Sequence, residues 1–182
     1  MFIQTQNTPN PNSLKFIPEK KVSKIGPVEI LDAKDSNNTL VKNILSINGV
    51  RGIFLYEDFI SVNKNNELDW SELKHIIISY INDFYSSGVE CVLDTNSQNK
   101  VLNENNLSEI EKKIINVLET KVRPAVSKDG GDITFKEFKN GIVTVQLQGS
   151  CSGCPSSTMT LKRGVENLLS HYVPEVKEVI SI

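Results

Sequence analysis

Cys151 and Cys154 stand two residues apart in the run GSCSGCPSS, Gly149 to Ser157, and Pro155 follows the second directly. Thiols at this spacing serve metal sites and redox pairs alike. Both uses need thiolate, and the sequence around the pair favours it. Pro155 is placed where a helix begins. The free N–H groups and the positive dipole end of a helix start favour thiolate over thiol. The same amides are able to donate to sulfur and stabilise an anionic cluster. Gly149 and Gly153 allow a tight backbone path between them.

Tetrahedral zinc sites and iron–sulfur clusters commonly take four protein ligands, and one chain brings two here. Cys91 lies about sixty residues upstream in a short apolar run, where a small buried residue is the simplest expectation. His171 follows Cys154 by seventeen residues with no second His nearby, so zinc-finger spacing fails. A two-fold dimer would bring two such loops together and supply four thiolates. A cluster held that way lies across an interface and is removable when a partner's thiols compete for it. Two other uses stay open. A thiol–disulfide oxidoreductase would employ the same two cysteines, although a thioredoxin-like motif should follow the first strand of a βαβ pattern. A structural zinc-bridged dimer would use the same four sulfurs, because zinc and iron both accept tetrahedral thiolate.

The elements that must carry this loop form the second half of the chain. Ser108 is a candidate helix cap, with Glu111 three residues on. Ile110, Ile114, Val117, Leu118 and Val122 make an apolar helical face that Pro124 ends or bends. SKDGGD (127–132) reads as a turn, in which Asp132 is a cap or a surface charge. The strands ITFKEF (133–138) and IVTVQLQ (142–148) flank Asn140-Gly141, the dipeptide of a tight hairpin whose turn positions need positive φ. After the cysteine loop, Leu161, Val165, Leu168, Leu169 and Tyr172 form a helical stripe, and VKEVISI closes the chain as a strand. The first half is also α+β. FIQTQ (2–6) and SLKFI (13–17) are strands, 39–47 is a helix, and VRGIFLY (50–56) with FISVNK (59–64) is a hairpin. Asp69 then caps a helix, in the capping-box pattern with Glu72, whose face is Leu73, Ile76, Ile77, Tyr80 and Phe84. The polar, Asn-rich run DTNSQNKVLNENN cannot bury much apolar surface and reads as a linker. The expected fold is therefore α+β: two small α/β-sandwich-like domains, 1–93 and 107–182, joined by a polar linker, 94–106, the second in the order α-β-β-α-β.

The totals agree with this. The chain has 182 residues, 38% hydrophobic and 23% charged, with a net charge of −2. No basic excess suggests nucleic acid, and no apolar run approaches a membrane span. The opening residues show neither signal-peptide nor transit-peptide order. The expected location is the bacterial cytoplasm, or the mitochondrial matrix for a trimmed eukaryotic form. A disulfide framework is not expected there.

Several residues have plain readings. Lys162 and Glu166 suit an i,i+4 surface pair. His75 flanks its helix at the surface, His171 lies near a helix C-terminus, and Trp70 anchors a helix. No phosphate loop and no Ser-His-Asp order points to an enzyme.

PAVSKDGGDI (124–133) with GIVTVQLQGSCSGCPSSTMTLKRGVENLL (141–169) resembles the C-terminal domain of the NifU and Nfu proteins. TPNPNSLKF (8–16), GVRGIFLYEDFISVNK (49–64) and WSELKHII (70–77) resemble the Nfu N-terminal domain. The resemblance implies an iron–sulfur scaffold or carrier, not an enzyme. Its labile [4Fe–4S] cluster would bridge two subunits through Cys151 and Cys154 and pass to apo-proteins. The implied partners are apo iron–sulfur clients, a second copy of the chain in a cluster-dependent homodimer, and upstream assembly factors, with no membrane or nucleic acid. No role falls to Cys91. Ser150 stands where the family often has Ala, a change that leaves the ligands intact. The first half lacks the cysteines of the separate NifU scaffold domain, so carriage and delivery are expected rather than de novo assembly.

Overall fold

A computed structural model describes residues 1–94, 107–152 and 155–182. Of the linker expected over 94–106, all but Asp94 lies outside the described residues, as does Cys154 itself in the second unit. Those described divide into two compact units, the first ending by 94 and the second starting from 107.

The first unit holds β1 (Gln4–Asn7), β2 (Ser13–Ile17), β3 (Val28–Ile30), α1 (Thr39–Leu45), β4 (Val50–Leu55), β5 (Ile60–Lys64) and α2 (Trp70–Ser86). The strands form one sheet in the order β1-β2-β5-β4-β3, every neighbouring pair antiparallel. β4 and β5 make the expected hairpin, with Tyr56 N donating to Phe59 O at 2.9 Å. Phe16, Val41, Ile44, Ile53, Leu55, Ile60 and Val62 are buried in its core together with the inner face of α2. That inner face is Leu73, Ile77, Ile81 and Tyr85, one residue per turn. Ile76, expected on it, is 43% exposed. The buried stripe is a narrow i,i+4 row, and Ile76 is turned about 100° away from Ile77. Asp69 caps α2 by accepting from Ser71 N at 2.7 Å. Trp70 anchors the start of that helix, its Nε1 donating to Pro11 O at 2.9 Å. The sequence did not announce β3, whose three residues show no period, nor the 3₁₀ turn at Ala33–Asp35.

The second unit runs α3 (Glu109–Val117), a π-helical turn (Leu118–Val122), α4 (Arg123–Lys128), β6 (Gly131–Lys139), β7 (Ile142–Gly149), α5 (Pro155–Tyr172) and β8 (Glu178–Ser181). This is the expected α-β-β-α-β order. Ser108 and Glu111 close the predicted capping box, Ser108 N donating to Glu111 Oε2 at 2.8 Å and Glu111 N to Ser108 Oγ at 3.3 Å. Pro124 does not end the helical run: it stands at the second position of α4, directly after the π turn. A proline lacks the N–H for the i−4 carbonyl and crowds it, and the wider π turn just before α4 gives that carbonyl room. Lys128, expected in a turn, is the last residue of α4.

The sheet order is β6-β7-β8. β6 and β7 are antiparallel, and their turn has φ of 54° at Asn140 and 83° at Gly141, as the dipeptide predicted. β7 and β8 are parallel, which requires a long crossover, and α5 is that crossover. Ile114, Val122, Ile133, Val143, Val145, Val165, Leu169, Val173 and Val179 fill the core. Tyr172, expected in the α5 stripe, is 49% exposed. Val173, just past the helix end, takes the buried place.

Candidate functional site

The cysteine loop leaves the end of β7. Gly149 closes that strand at φ 68°, a left-handed conformation that glycine enters without penalty. Ser150 and Cys151 follow. Both are buried, Cys151 being 7% exposed. The Ser150–Cys151 segment is set into the protein by contacts on three sides.

The first side is the turn before β6. Ser150 N donates to Gly130 O at 3.2 Å, and Ser150 Oγ donates to Asp129 O. The second is β6 itself. Gly131 pairs with Gly149 across the antiparallel ladder. A methyl group built on Gly131 would lie 2.7 Å from Cys151 Sγ and 2.6 Å from Gln148 O. Real carbon atoms do not approach so closely, so this glycine is required for space rather than for its dihedrals. The third side is the start of α5, where Thr158 Oγ1 donates to Cys151 O at 3.3 Å. Ser152 folds the loop back, its N and Oγ both donating to Gly149 O at 3.2 and 2.9 Å. Ser150 Oγ also lies 3.9 Å from Cys151 Sγ.

Beneath this seat is an ion pair that the sequence reading missed. Asp132 is fully buried, not a cap or a surface charge. Arg123 grips it with two bonds, Nε to Oδ1 at 2.8 Å and Nη2 to Oδ2 at 2.9 Å. A buried carboxylate is costly without such a partner. The adjacent glycines ahead of a strand, with an arginine nine residues before the aspartate, are the signals that could have marked it.

Lys162 and Glu166 do not pair with each other. Glu166 Oε2 accepts from Val179 N at 2.9 Å, and Lys162 Nζ lies 3.8 Å from Glu178 Oε1. Strand β8 supplies both partners, which helix spacing could not reveal. His75 is exposed as expected. His171 packs edge-on against Tyr172 at 5.0 Å between ring centres.

Cys91 sits in the first unit, 6% exposed, with Sγ donating to Leu93 O at 3.4 Å. Burial, and then the Cys91 sulfur, push the Tyr85 hydroxyl well above the usual phenol range. Among the described residues no three His, Cys, Asp or Glu side chains gather as a metal-holding group. The donor at the seat is a soft sulfur, of the kind zinc and iron–sulfur clusters take. Cys151 belongs to the apolar core of this unit, and Gly131 is the close neighbour that leaves room for its Sγ.

Two family models match the chain. The N-terminal domain of the Nfu/NifU scaffold protein matches residues 3–88, and the NifU-like domain matches 114–180. A human protein named NFU1 iron-sulfur cluster scaffold homolog, mitochondrial, is 45% identical over 181 residues, covering 98% of this chain and 71% of that protein. NifU-like protein 4, mitochondrial, of Arabidopsis thaliana is 45% identical over 185 residues, with 98% and 65% covered. The chain thus spans about two thirds of the length of these curated relatives. A solution structure of a NifU-like protein from Saccharomyces cerevisiae aligns with a TM-score of 0.48 at 24% identity, covering 53% of this chain and 87% of that one.

Proposed function

The chain belongs to the NifU/Nfu family, and we propose that it is an iron–sulfur cluster scaffold and carrier. In this reading a [4Fe–4S] cluster is cargo, held between two copies by Cys151 and Cys154 of each and then passed to apo iron–sulfur proteins. Upstream assembly factors load it. The observation that supports the reading is the seat of Cys151, a sulfur packed closely against Gly131 between the end of β7 and the start of α5.

The chemistry asked of the chain is modest. Each Cys151 and Cys154 gives up its proton and binds iron as thiolate. The seat fixes one of these sulfurs, so part of the ordering entropy is met before the cluster arrives. Delivery is ligand exchange. Thiolates of the acceptor replace those of the carrier on iron, the carrier's sulfurs recover their protons, and no net electron transfer occurs. A reducing compartment keeps these thiols from pairing as a disulfide.

The test is anaerobic reconstitution of the full chain with ferrous iron and sulfide. The expected product is brown, absorbs broadly near ~400 nm, sediments as a dimer, and carries about four irons per two chains, as Cys₄ ligation of one bridging cluster requires. Mössbauer spectra then separate [4Fe–4S] from [2Fe–2S]. Colourless protein with bound zinc would establish the structural zinc dimer instead. Colourless, metal-free protein that reduces insulin disulfides would establish the oxidoreductase.

A further inference from the structure

We infer that Arg123 and Asp132 act together as a positioning pair for the Cys151 sulfur, a role that rests on the ligand function just proposed. The two residues are nine apart, and their two hydrogen bonds close a short loop. One stem of the loop is α4 and the other is the first residues of β6. The tip, Asp129 and Gly130, is where Ser150 is held, by its hydroxyl and by its amide. The residue before Asp132 is Gly131, the one packed against Cys151 Sγ. The residue opposite Asp132 on β7 is Gln148, whose carbonyl shares that contact. A shift of Asp132 therefore reaches the Cys151 seat through one residue of β6 and through the end of β7.

The pair is suited to geometry more than to stability. A buried ion pair gains little net free energy, because desolvation offsets the attraction. A two-bonded guanidinium–carboxylate pair does fix both distance and plane. Arg123 is itself tied back to the π turn, with Nη1 at 3.5 Å from Glu119 Oε1. Arg123, the first residue of α4, thus contacts carboxylates on either side of it in sequence.

The experiment has two arms. The first uses the full chain carrying Cys91→Ala and Cys154→Ala, so that Cys151 is the sole thiol, and follows its alkylation by iodoacetamide under native conditions. Asp132→Asn should raise the rate on the order of tenfold, the factor that loss of one charge-assisted hydrogen bond corresponds to. Arg123→Lys, which keeps the charge without the fork, should fall between, and it carries the test if Asp132→Asn does not fold. Val179→Ala, a core change in β8, serves as a control for simple destabilisation and should leave the rate near that of the parent. The second arm keeps all three cysteines and measures loss of the reconstituted cluster to a chelator, which Asp132→Asn should hasten by a similar factor. The inference is overturned if Asp132→Asn and Arg123→Lys alkylate no faster than Val179→Ala. It is also overturned if they lower the melting temperature but leave cluster lifetime unchanged. Should the parent chain bind no cluster at all, the carrier reading fails, while the alkylation arm still decides what the pair does.

Discussion

Cys91 and Cys151 differ by one part in a hundred of exposure, 6% against 7%, and by almost everything else. Cys91 follows the C-terminal end of α2, its sulfur bonded to Leu93 O two residues on, whereas Cys151 belongs to the apolar core of the second unit. Cys151 lies at the strand-to-helix step of the smaller unit, held through Ser150, Gly131 and Thr158 by groups from three elements. Burial is therefore a poor guide to what a cysteine does. The informative quantity is what surrounds the sulfur. A thiol that finishes its own local hydrogen bond behaves as a small apolar residue. Cys151, at the step from a strand to a helix, is the sulfur proposed above as a ligand.

The largest effect expected from this contrast is all-or-none. Cys151→Ala or Cys154→Ala should abolish iron binding on reconstitution while leaving the far-ultraviolet circular dichroism intact. Cys91→Ala should retain full iron. Iron analysis decides it, and loss of the cluster in Cys91→Ala would erase the distinction between the two sulfurs.

Next in size is a change deep in the first unit. Ile77 is completely buried on α2, and Ile77→Ala should lower stability by about 2–5 kcal/mol through the lost contacts and the cavity left behind. Iron content at 25 °C should not change, since Ile77 belongs to a core cluster that contains no residue of the Cys151 seat. Denaturant titration and iron analysis of the same sample test both halves of the statement.

A pair of glycines sharpens the picture within the second unit. Gly131→Ala forces a methyl into Gln148 O and Cys151 Sγ. It should cost roughly 1–3 kcal/mol as an overpacking change and weaken cluster retention as well. Gly164, inside α5, has nothing within 4 Å of where its methyl would go. Gly164→Ala should stabilise by about 0.5–1 kcal/mol from helix propensity and leave the cluster untouched. If both substitutions behave alike, the close approach at Gly131 has no functional meaning.

These outcomes bear on what a sequence discloses. Local chemistry was legible. Asn140-Gly141 gave the β6–β7 turn and Ser108 with Glu111 gave a helix start, while the two-residue spacing of Cys151 and Cys154 pointed to the site proposed above. Signals of this kind are complete within a few residues. Long-range partners were not legible. Asp132 read as a turn or surface charge because nothing beside it in sequence shows that Arg123 folds back onto it. Lys162 and Glu166 suited each other by helix spacing, yet β8 brings Glu178 to one and Val179 N to the other. Periodicity located the face of α2 but not its width, so Ile76 was placed inside. Gly131 carried a further ambiguity. A glycine serves either an unusual dihedral or an absent side chain, and only the position of Cys151 Sγ shows that the second reason holds.

The smallest expected effect tests whether the helix leading toward the site is fixed by its cap in the way the site is fixed by its seat. Ser108 and Glu111 exchange hydrogen bonds at the start of α3. Ser108→Ala removes one N-cap and should cost about 1 kcal/mol. The Ser108 hydroxyl and then the Ser108 amide, both donating to the Glu111 carboxylate, hold it below the usual carboxylate range. A depressed folded-state pKa means that the ionised carboxylate favours the folded chain above its ordinary pKa, and that this support fades as pH falls through the lowered value. Glu111→Gln should therefore be slightly less stable than the parent near neutral pH. The two should converge in acid, below the ordinary glutamate value of about 4.3. Ser108→Ala should keep part of its deficit there, because the serine oxygen also accepts from Glu111 N whatever the charge on the carboxylate. Urea titrations of the three proteins at several pH values measure the gaps. A constant gap for Glu111→Gln across that range would mean that the carboxylate's charge contributes nothing to the start of α3.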